Sequence, residues 1–380
     1  MPGLHLSDRE RLASLRLARC ENVGPVTFRQ LLARFGGAEA ALAALPELAR
    51  RGGRIRPLAI CASATAEREL AGLARLGGRL VVLGEAGYPA LLSAIDDAPS
   101  VLSLIGRSEL LARRAVALVG ARNASANGRL IAETMARELA ATGWVVVSGL
   151  ARGIDSSAHA GALAGGTIAV LAGGVDKPYP PESEALYRRI STEGLLVAEL
   201  ALGRVAQARH FPRRNRVVAG LSAGVVVVEA AVKSGSLITA RLAGEQGREV
   251  MAVPGSPLDQ RCRGANQLIR QGAVLVESAA DVIEQLSGFG PPPGPVEGPE
   301  PIRHADVAES PTALEELPNS AMSEVERRLG PSPVPVDELG RQCHLSPPFL
   351  RMTLLELELA GRLQWHPGNR VSLLASAGGD

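Results

Sequence analysis

With 380 residues, 46% of them hydrophobic and 21% charged, the chain has enough apolar surface for a large core in two or three domains, which excludes a disordered or fibrous protein. A net charge of only +2 excludes a protein that coats a polyanion over its whole surface, so any nucleic-acid site must be a local patch. Cys20, Cys61, Cys262 and Cys343 stand singly, without paired metal-ligand spacing or a disulfide framework, so the expectation is a reducing cytoplasm and no metal centre. Acidic and basic residues interleave through the first nineteen positions, which argues against an export signal or a membrane span there.

From residue 1 to about 75, apolar residues recur at helical spacing: Leu12, Leu15 and Leu17, then Phe28, Leu31, Leu32 and Phe35, then Ala41, Leu42 and Leu45. This predicts a small all-helical unit. Its segment Asn22-Val23-Gly24-Pro25-Val26-Thr27-Phe28 resembles the turn of a helix-hairpin-helix or SAM-like module, whose N–H groups can face a phosphate; Gly24-Pro25 equally well just starts a helix with Pro near N1.

From 76 to 288 short β-branched runs alternate with amphipathic stretches. Strands are expected at Val116–Val119, Trp144–Ser148, Thr167–Leu171, Leu196–Glu199, Val225–Glu229, Glu249–Val253 and Val274–Val276. Several are apolar on both faces, as strands of a helix-covered parallel sheet must be. Helices are expected at Gly128–Ala141, Ser156–Ala164, Glu182–Thr192, Arg214–Ser222 and Leu237–Gln246. The alternation predicts an α/β, Rossmann-like, doubly wound and mostly parallel sheet, with ligands beyond the carboxyl ends of its strands. Residues 289–318 are too rich in Pro and Gly to pack and read as a linker. Residues 319–380 read as three helices and a two-stranded wing around Pro367-Gly368-Asn369, a winged helix whose third helix balances Arg351 with Glu356 and Glu358. A protein-interaction role or weak DNA binding suits that balance better than sequence-specific reading.

The strand-end loops carry the candidate chemistry. Gly120-Ala121-Arg122 closes the first of those strands with a glycine that lets a ligand approach and an arginine to clamp phosphate, and Ser125 or Asn127 can cap the next helix. Ser148-Gly149-Leu150-Ala151-Arg152-Gly153 closes the second, and it lacks the Gly-x-Gly-x-x-Gly fingerprint, so no dinucleotide cofactor is expected. Backbone N–H groups of the two turns are expected to face a shared anion. Asp155 and His159, one helical turn apart, suit either an acid/base pair or, more simply, a cap and a packed imidazole. Lys233 stands at the lip of Ser234-Gly235-Ser236, a second expected anion cup.

The densest signal is Arg209-His210-Phe211-Pro212-Arg213-Arg214-Asn215-Arg216, in a reach free of carboxylates from Glu199 to Glu229. An aromatic face for a nucleobase beside cations for the backbone is what a single strand needs; the plainer reading is a basic helix start with Phe211 in the core.

Taken in order, Gly120–Arg122, Ser148–Asp155 with Ala158-His159, Tyr179-Pro180, Phe211–Arg216 with Ala219–Ser222, Glu229 with Ser234–Thr239, Pro254-Gly255, Gly264–Asn266, Leu268-Ile269 and Gly272-Ala273 make the chain closely resemble the DNA-processing protein A (DprA, or Smf) family. The resemblance implies a non-catalytic, dimeric protein that binds single-stranded DNA and helps load the RecA recombinase on DNA taken up in natural transformation. It implies DNA contacts by Arg122, Phe211, Arg213, Asn215, Arg216 and Lys233, with Arg209 and Ala208 where the family often has another basic residue. Gly120, Ser148, Gly149, Arg152, Ser234, Gly235 and Ser236 complete the expected site. An alternative is a nucleotide phosphoribohydrolase-like enzyme on a related sheet. Its Pro-Gly-Gly-x-Gly-Thr-x-x-Glu motif is absent here, since Thr239-Ala240-Arg241 brings no glutamate at that spacing and only Glu229 is left to stand in.

Overall fold

A computed structural model describes residues 6–288, 319–366 and 369–374. The stretch expected to be a linker, 289–318, and the wing residues Pro367-Gly368 lie outside the described residues. In chain order the helices α1 (Asp8–Ala18), α2 (Pro25–Phe35), α3 (Ala38–Arg51) and α4 (Ser63–Arg75) come first. There follow β1 (Gly78–Val82), α5 (Ala90–Ser93), β2 (Val101–Gly106), β3 (Ala115–Val119), α6 (Ala126–Ala141), β4 (Val145–Ser148), α7 (Ile154–Ala162), β5 (Thr167–Gly174), α8 (Glu184–Glu193), β6 (Leu195–Leu200) and α9 (His210–Gly220). Next are β7 (Gly224–Val227), α10 (Ser236–Glu245), β8 (Glu249–Ala252), α11 (Arg263–Arg270), β9 (Val274–Leu275) and α12 (Ala279–Gln285). The chain closes with α13 (Asn319–Arg328), β10 (Val334–Pro335), α14 (Val336–Cys343), α15 (Pro347–Leu359), β11 (Leu363–His366) and β12 (Arg370–Leu373).

These elements form two compact units, one from residues 67–288 and the other from residues 6–66 with 319–374. The first is built on a nine-stranded sheet in the order β1-β2-β6-β5-β4-β3-β7-β8-β9. From β6 to β9 every pairing is parallel. Alternate residues of the central strands sort to opposite layers, as a period of two requires. Ala115, Ala117 and Val119 join Val217, Val218, Ala240 and Ala243 on one side, while Val116 and Leu118 join Met135, Leu139, Ala158 and Val282 on the other. Both faces are therefore covered by helices, and the doubly wound sheet expected from the sequence is present.

The seven expected strands are all found, but β1 and β2 are an addition. They pair antiparallel with each other, and β2 pairs antiparallel with β6, extending the sheet beyond its parallel part. Val101–Ile105 is buried throughout, so it lacks the alternation that marks a half-exposed strand.

The second unit packs α1–α3 with a winged helix in which β10, β12 and β11 form a three-stranded sheet, one strand more than the expected wing. Val325, Leu339, Leu350, Leu354, Leu357, Leu363 and Val371 are its core. Among the described residues no helix is long and apolar enough to cross a membrane.

Close packing of α7 on α6 requires Gly161, where a Cβ would overlap the carbonyl of Glu133, whereas a Cβ at Gly244 in α10 meets nothing within 4 Å. The same Gly→Ala change should therefore have opposite signs. Gly244→Ala is expected to raise stability by about 0.5 kcal/mol through helix propensity. Gly161→Ala is expected to lower it by about 1–3 kcal/mol through overpacking, both read from denaturant midpoints.

Candidate nucleic-acid interface

The parallel sheet reverses its winding between β3 and β7, the place where open α/β sheets hold ligands beyond the strand ends. Three loops are tied together there. The Ala121 N–H donates to the Glu229 carbonyl at 2.6 Å, and the Ile154 N–H donates to the Ala121 carbonyl at 3.2 Å. Gly120 permits this approach, because a Cβ would press on the Ile154 side chain and the Glu229 carbonyl. Ser125 caps α6 by accepting from the Gly128 N–H at 2.9 Å, and the Glu229 carboxylate accepts from the Ser125 N–H at 2.9 Å. Glu229 is 3% exposed, and the Arg261 Nε lies 3.4 Å from its other oxygen while the same guanidinium pairs with Asp259 at 2.8 Å. The acids and thiol that converge there, Glu229, Asp259 and Cys262, thus already face a cation of the chain itself.

The β4 loop is held from below. Leu150 has a positive φ of 56°, uncommon outside glycine, and its side chain is fully buried. Asp155 accepts from the Gly149 N–H at 3.1 Å and the Ala151 N–H at 3.4 Å, and His159 Nε2 accepts from the Leu150 N–H at 3.3 Å. Thr167 Oγ1 lies 2.7 Å from His159 Nδ1, fixing the ring. Burial, reinforced by the charge of Arg214, takes the His159 pKa down to about 3. Burial also pushes the Asp155 carboxyl up, against the opposing pull of Arg214 and the two N–H bonds. The pair one turn apart on α7 is therefore a clamp for three successive N–H groups, neither an acid/base pair nor an ordinary helix cap.

Arg214 completes this support. Its guanidinium is buried, donating to the Val170 carbonyl at 2.6 Å and to the Gly149 carbonyl, with Nε 3.3 Å from Asn215 Oδ1. A Cβ on Gly149 would overlap that guanidinium, so this glycine serves the arginine and not an approaching ligand.

Phe211, in the first turn of α9, carries the exposed part of the site. Arg122 Cζ lies 5.1 Å from its ring centroid, Tyr179 meets it edge-on at 5.6 Å, and Arg214 Cζ lies 6.0 Å away on the buried side. A guanidinium over an aromatic face is attractive and weakly hydrated, so ring and cation make one stacking surface. The plainer reading of Phe211 as a core residue does not hold, since it is only half-buried. Arg152, Arg209, Arg213 and Lys233 are exposed on the neighbouring loops and helix start. His210 is held below its ordinary pKa, first by burial and then by Arg209, Arg213 and Arg204, so it does not add to the positive charge at neutral pH.

Other expected contact residues point inward. Arg216 is 5% exposed and pairs with Glu199 at 2.6 Å and with Asp97 at 3.5 Å. Asn215 is buried and donates to the Gly235 carbonyl at 3.4 Å. Ser148 is fully buried, with its hydroxyl on the Leu118 carbonyl at 2.7 Å. These side chains frame the surface and do not present themselves to it. The expected backbone cups are also reduced: the N–H groups of Gly149, Leu150 and Ala151 are taken by Asp155 and His159. The Ser234 and Ser236 hydroxyls lie 2.8 Å apart, and the Ser236 N–H donates to Ser234 at 3.4 Å. Gly235 is exposed beside them.

A family model described as DNA recombination-mediator protein A matches residues 79–287. The chain belongs to that family, DprA/Smf. Models of a DprA-like N-terminal HHH domain and a DprA winged helix domain match residues 8–72 and 308–369. The putative DNA processing protein DprA of Mycobacterium tuberculosis is 37% identical over 327 residues, 80% of each chain. Protein Smf of Escherichia coli is 39% identical over 292 residues, 75% of each chain. The X-ray structure of DprA from Streptococcus pneumoniae superposes with a TM-score of 0.62 at 34% identity, covering 74% of this chain and 99% of that one. A structure of DprA from Helicobacter pylori, described for its single-stranded DNA binding mode, superposes with a TM-score of 0.51 at 30% identity, covering 55% and 96%.

Within this DprA chain the sequence reading missed Arg214 as the buried anchor and Tyr179 as a partner of Phe211. A signal for Arg214 existed: it shares a helical face with Val217, Val218 and Leu221, all buried. The motif Tyr179-Pro180 stands out, but nothing local links Tyr179 to Phe211, which it reaches from a loop thirty-two residues earlier in the chain.

The depressed His159 pKa makes stability pH-dependent. Its ordinary value is 6.5, so the unfolded chain takes up a proton first, and the contribution of the neutral ring is intact above 6.5 and lost as pH falls toward about 3. The urea midpoint is expected to fall across that window, and the slope to be shallower in His159→Gln, whose amide oxygen can still accept from Leu150.

Proposed function

We propose that this protein binds single-stranded DNA at the β3, β4 and β7 loops and mediates its recombination without catalysis. One observation carries the reading: the Arg122 guanidinium over the Phe211 ring, 5.1 Å from its centroid, at the sheet's switch point, where the strand-end loops and the start of α9 also carry exposed Arg152, Arg209, Arg213 and Lys233. The ring stacks on any base, and the cations follow any backbone, so binding is sequence-tolerant. The description of the Helicobacter pylori relative as a single-stranded DNA binder supports this assignment. A homodimer working in the cytoplasm, protecting incoming strands and handing them to RecA during natural transformation, is the wider role that membership of the DprA family favours.

The hydrolase alternative needs a free carboxylate, and Glu229 is an unsuitable base. It is buried, accepts from the Ser125 N–H and faces Arg261. Its position suits a strut between loops.

Phe211→Ala should weaken binding of a labelled single strand by about 1–3 kcal/mol with an unchanged salt slope. Arg122→Ala and Lys233→Ala should each reduce the slope of log K against log salt by about 0.7 for every phosphate that is no longer neutralised. Fluorescence anisotropy over a salt series, with matching duplex as comparison, reads all three. Unchanged affinity and slope in every variant would remove this surface as the site.

A further inference from the structure

In winged helices the third helix is the usual groove-reading element, yet α15 is buried on two sides. Leu350, Leu354 and Leu357 face the core of the winged helix. Leu355, Glu356 and Leu359 are also buried, at 2%, 1% and 0% exposure, and fall outside that core. What meets the second face is the chain's own N-terminal helices. Thr27 of α2 donates to the Glu358 carboxylate, and Asn22 Nδ2 donates to the Leu359 carbonyl at 3.3 Å. Arg34 Nη1 lies 3.2 Å from Met352 Sδ. At the end of α3, Gly52 approaches so closely that a Cβ there would overlap the carbonyl of Glu356 and crowd Ala360. Gly52 has φ −67° and ψ 2°, a conformation open to any residue, so only the contact with α15 demands glycine.

The charge on this face is unusual. Glu358 accepts from Thr27 and, at 2.7 Å, from Trp365 Nε1 of β11, and no cation pairs with it among the described residues. Glu356 has a buried carboxylate oxygen without a hydrogen-bond partner, with Arg34 and Arg51 favouring its charge and Glu47 opposing it. Burial drives Glu358 up to about 7, the bonds from Thr27 and Trp365 only partly offsetting it, and it raises Glu356 as well. A buried carboxyl without a counter-ion is tolerated as the neutral acid and resisted as the anion.

We propose that the second face of α15 is a docking surface for the chain's own α2–α3 helices, a latch that is fastened while Glu358 is protonated and loosened when it ionises. The sign follows from linkage. Glu358 has an ordinary value of 4.5 when undocked, so docking is fully favoured below that pH and weakens as pH rises through about 7. The closing equilibrium can then fall by up to roughly a hundredfold. While fastened, α15 and the Asn22–Thr27 turn cover each other, which gives the winged helix a use other than reading a DNA groove.

The test uses the full chain and three proteins: wild type, Glu358→Gln and Gly52→Val. Hydrogen exchange of residues 22–28, corrected for intrinsic rates, is compared at pH 6 and pH 8.5, with small-angle scattering on the same samples. Wild type should exchange up to about tenfold faster at pH 8.5 than at pH 6 and scatter with a larger radius of gyration. Glu358→Gln should remain closed at both values. Gly52→Val should be open at both, while residues 101–275 exchange as in wild type and so report an intact sheet unit. A wild type closed equally at both pH values, or a Glu358→Gln that still opens, overturns the titrating latch. A Gly52→Val protected like wild type overturns the docking surface itself, and misfolding of that variant leaves the comparison of wild type with Glu358→Gln to decide.

Discussion

The buried guanidinium of Arg214 is the constraint on which the site depends. It lies between the carbonyls of Gly149 and Val170, so it fastens the start of α9 to the end of β4 and the middle of β5. Gly149 must lack a side chain to admit it, and Leu150 takes its left-handed conformation in the loop so fixed. Phe211 stands one turn before Arg214 on the same helix, so the arginine that never reaches the surface decides where the exposed ring is held. Removing a buried charge's partners, or the charge itself, typically costs about 3–5 kcal/mol, enough to unmake such a loop.

The cluster of cations in the sequence divides by depth. Arg214 and Arg216 are internal, one met by carbonyls and the other by Glu199 and Asp97. Arg209 and Arg213 stay outside with Arg122, Arg152 and Lys233. In a chain of net charge +2 this gives a local positive surface without a polycation's indiscriminate attraction. Glu199 and Glu229, which bound the carboxylate-free reach, serve as struts at its two ends: one holds Arg216, the other joins the β3 and β7 loops.

The second unit uses the same device for a different end. There too a glycine, Gly52, lets a backbone approach another, and buried carboxyls sit where the two surfaces meet. The glutamates that make α15 a poor partner for a phosphate backbone are the groups that suit it to an uncharged, proton-dependent contact with α2 and α3.

The sequence by itself determined the parallel sheet, because strands buried on both faces must be continuously apolar and Val145–Val147 or Val225–Val227 can be little else. It also brought Phe211 and Arg122 forward as candidates, and the two side chains do meet, with Arg122 Cζ 5.1 Å from the ring centroid. Only the tertiary structure decided that Asn215 and Arg216 turn inward together with Arg214, because α9 is buried nearly all round beyond Arg213 and gives no polar stripe from which to choose. It alone assigned Asp155 and His159 to the backbone of the β4 loop, a partner that side-chain spacing cannot specify. The antiparallel β2 and the covered face of α15 escaped for the same reason: β2 pairs with the distant β6 and α15 meets the N-terminal helices, and burial on two sides erases the periodicity from which an exposed face is read.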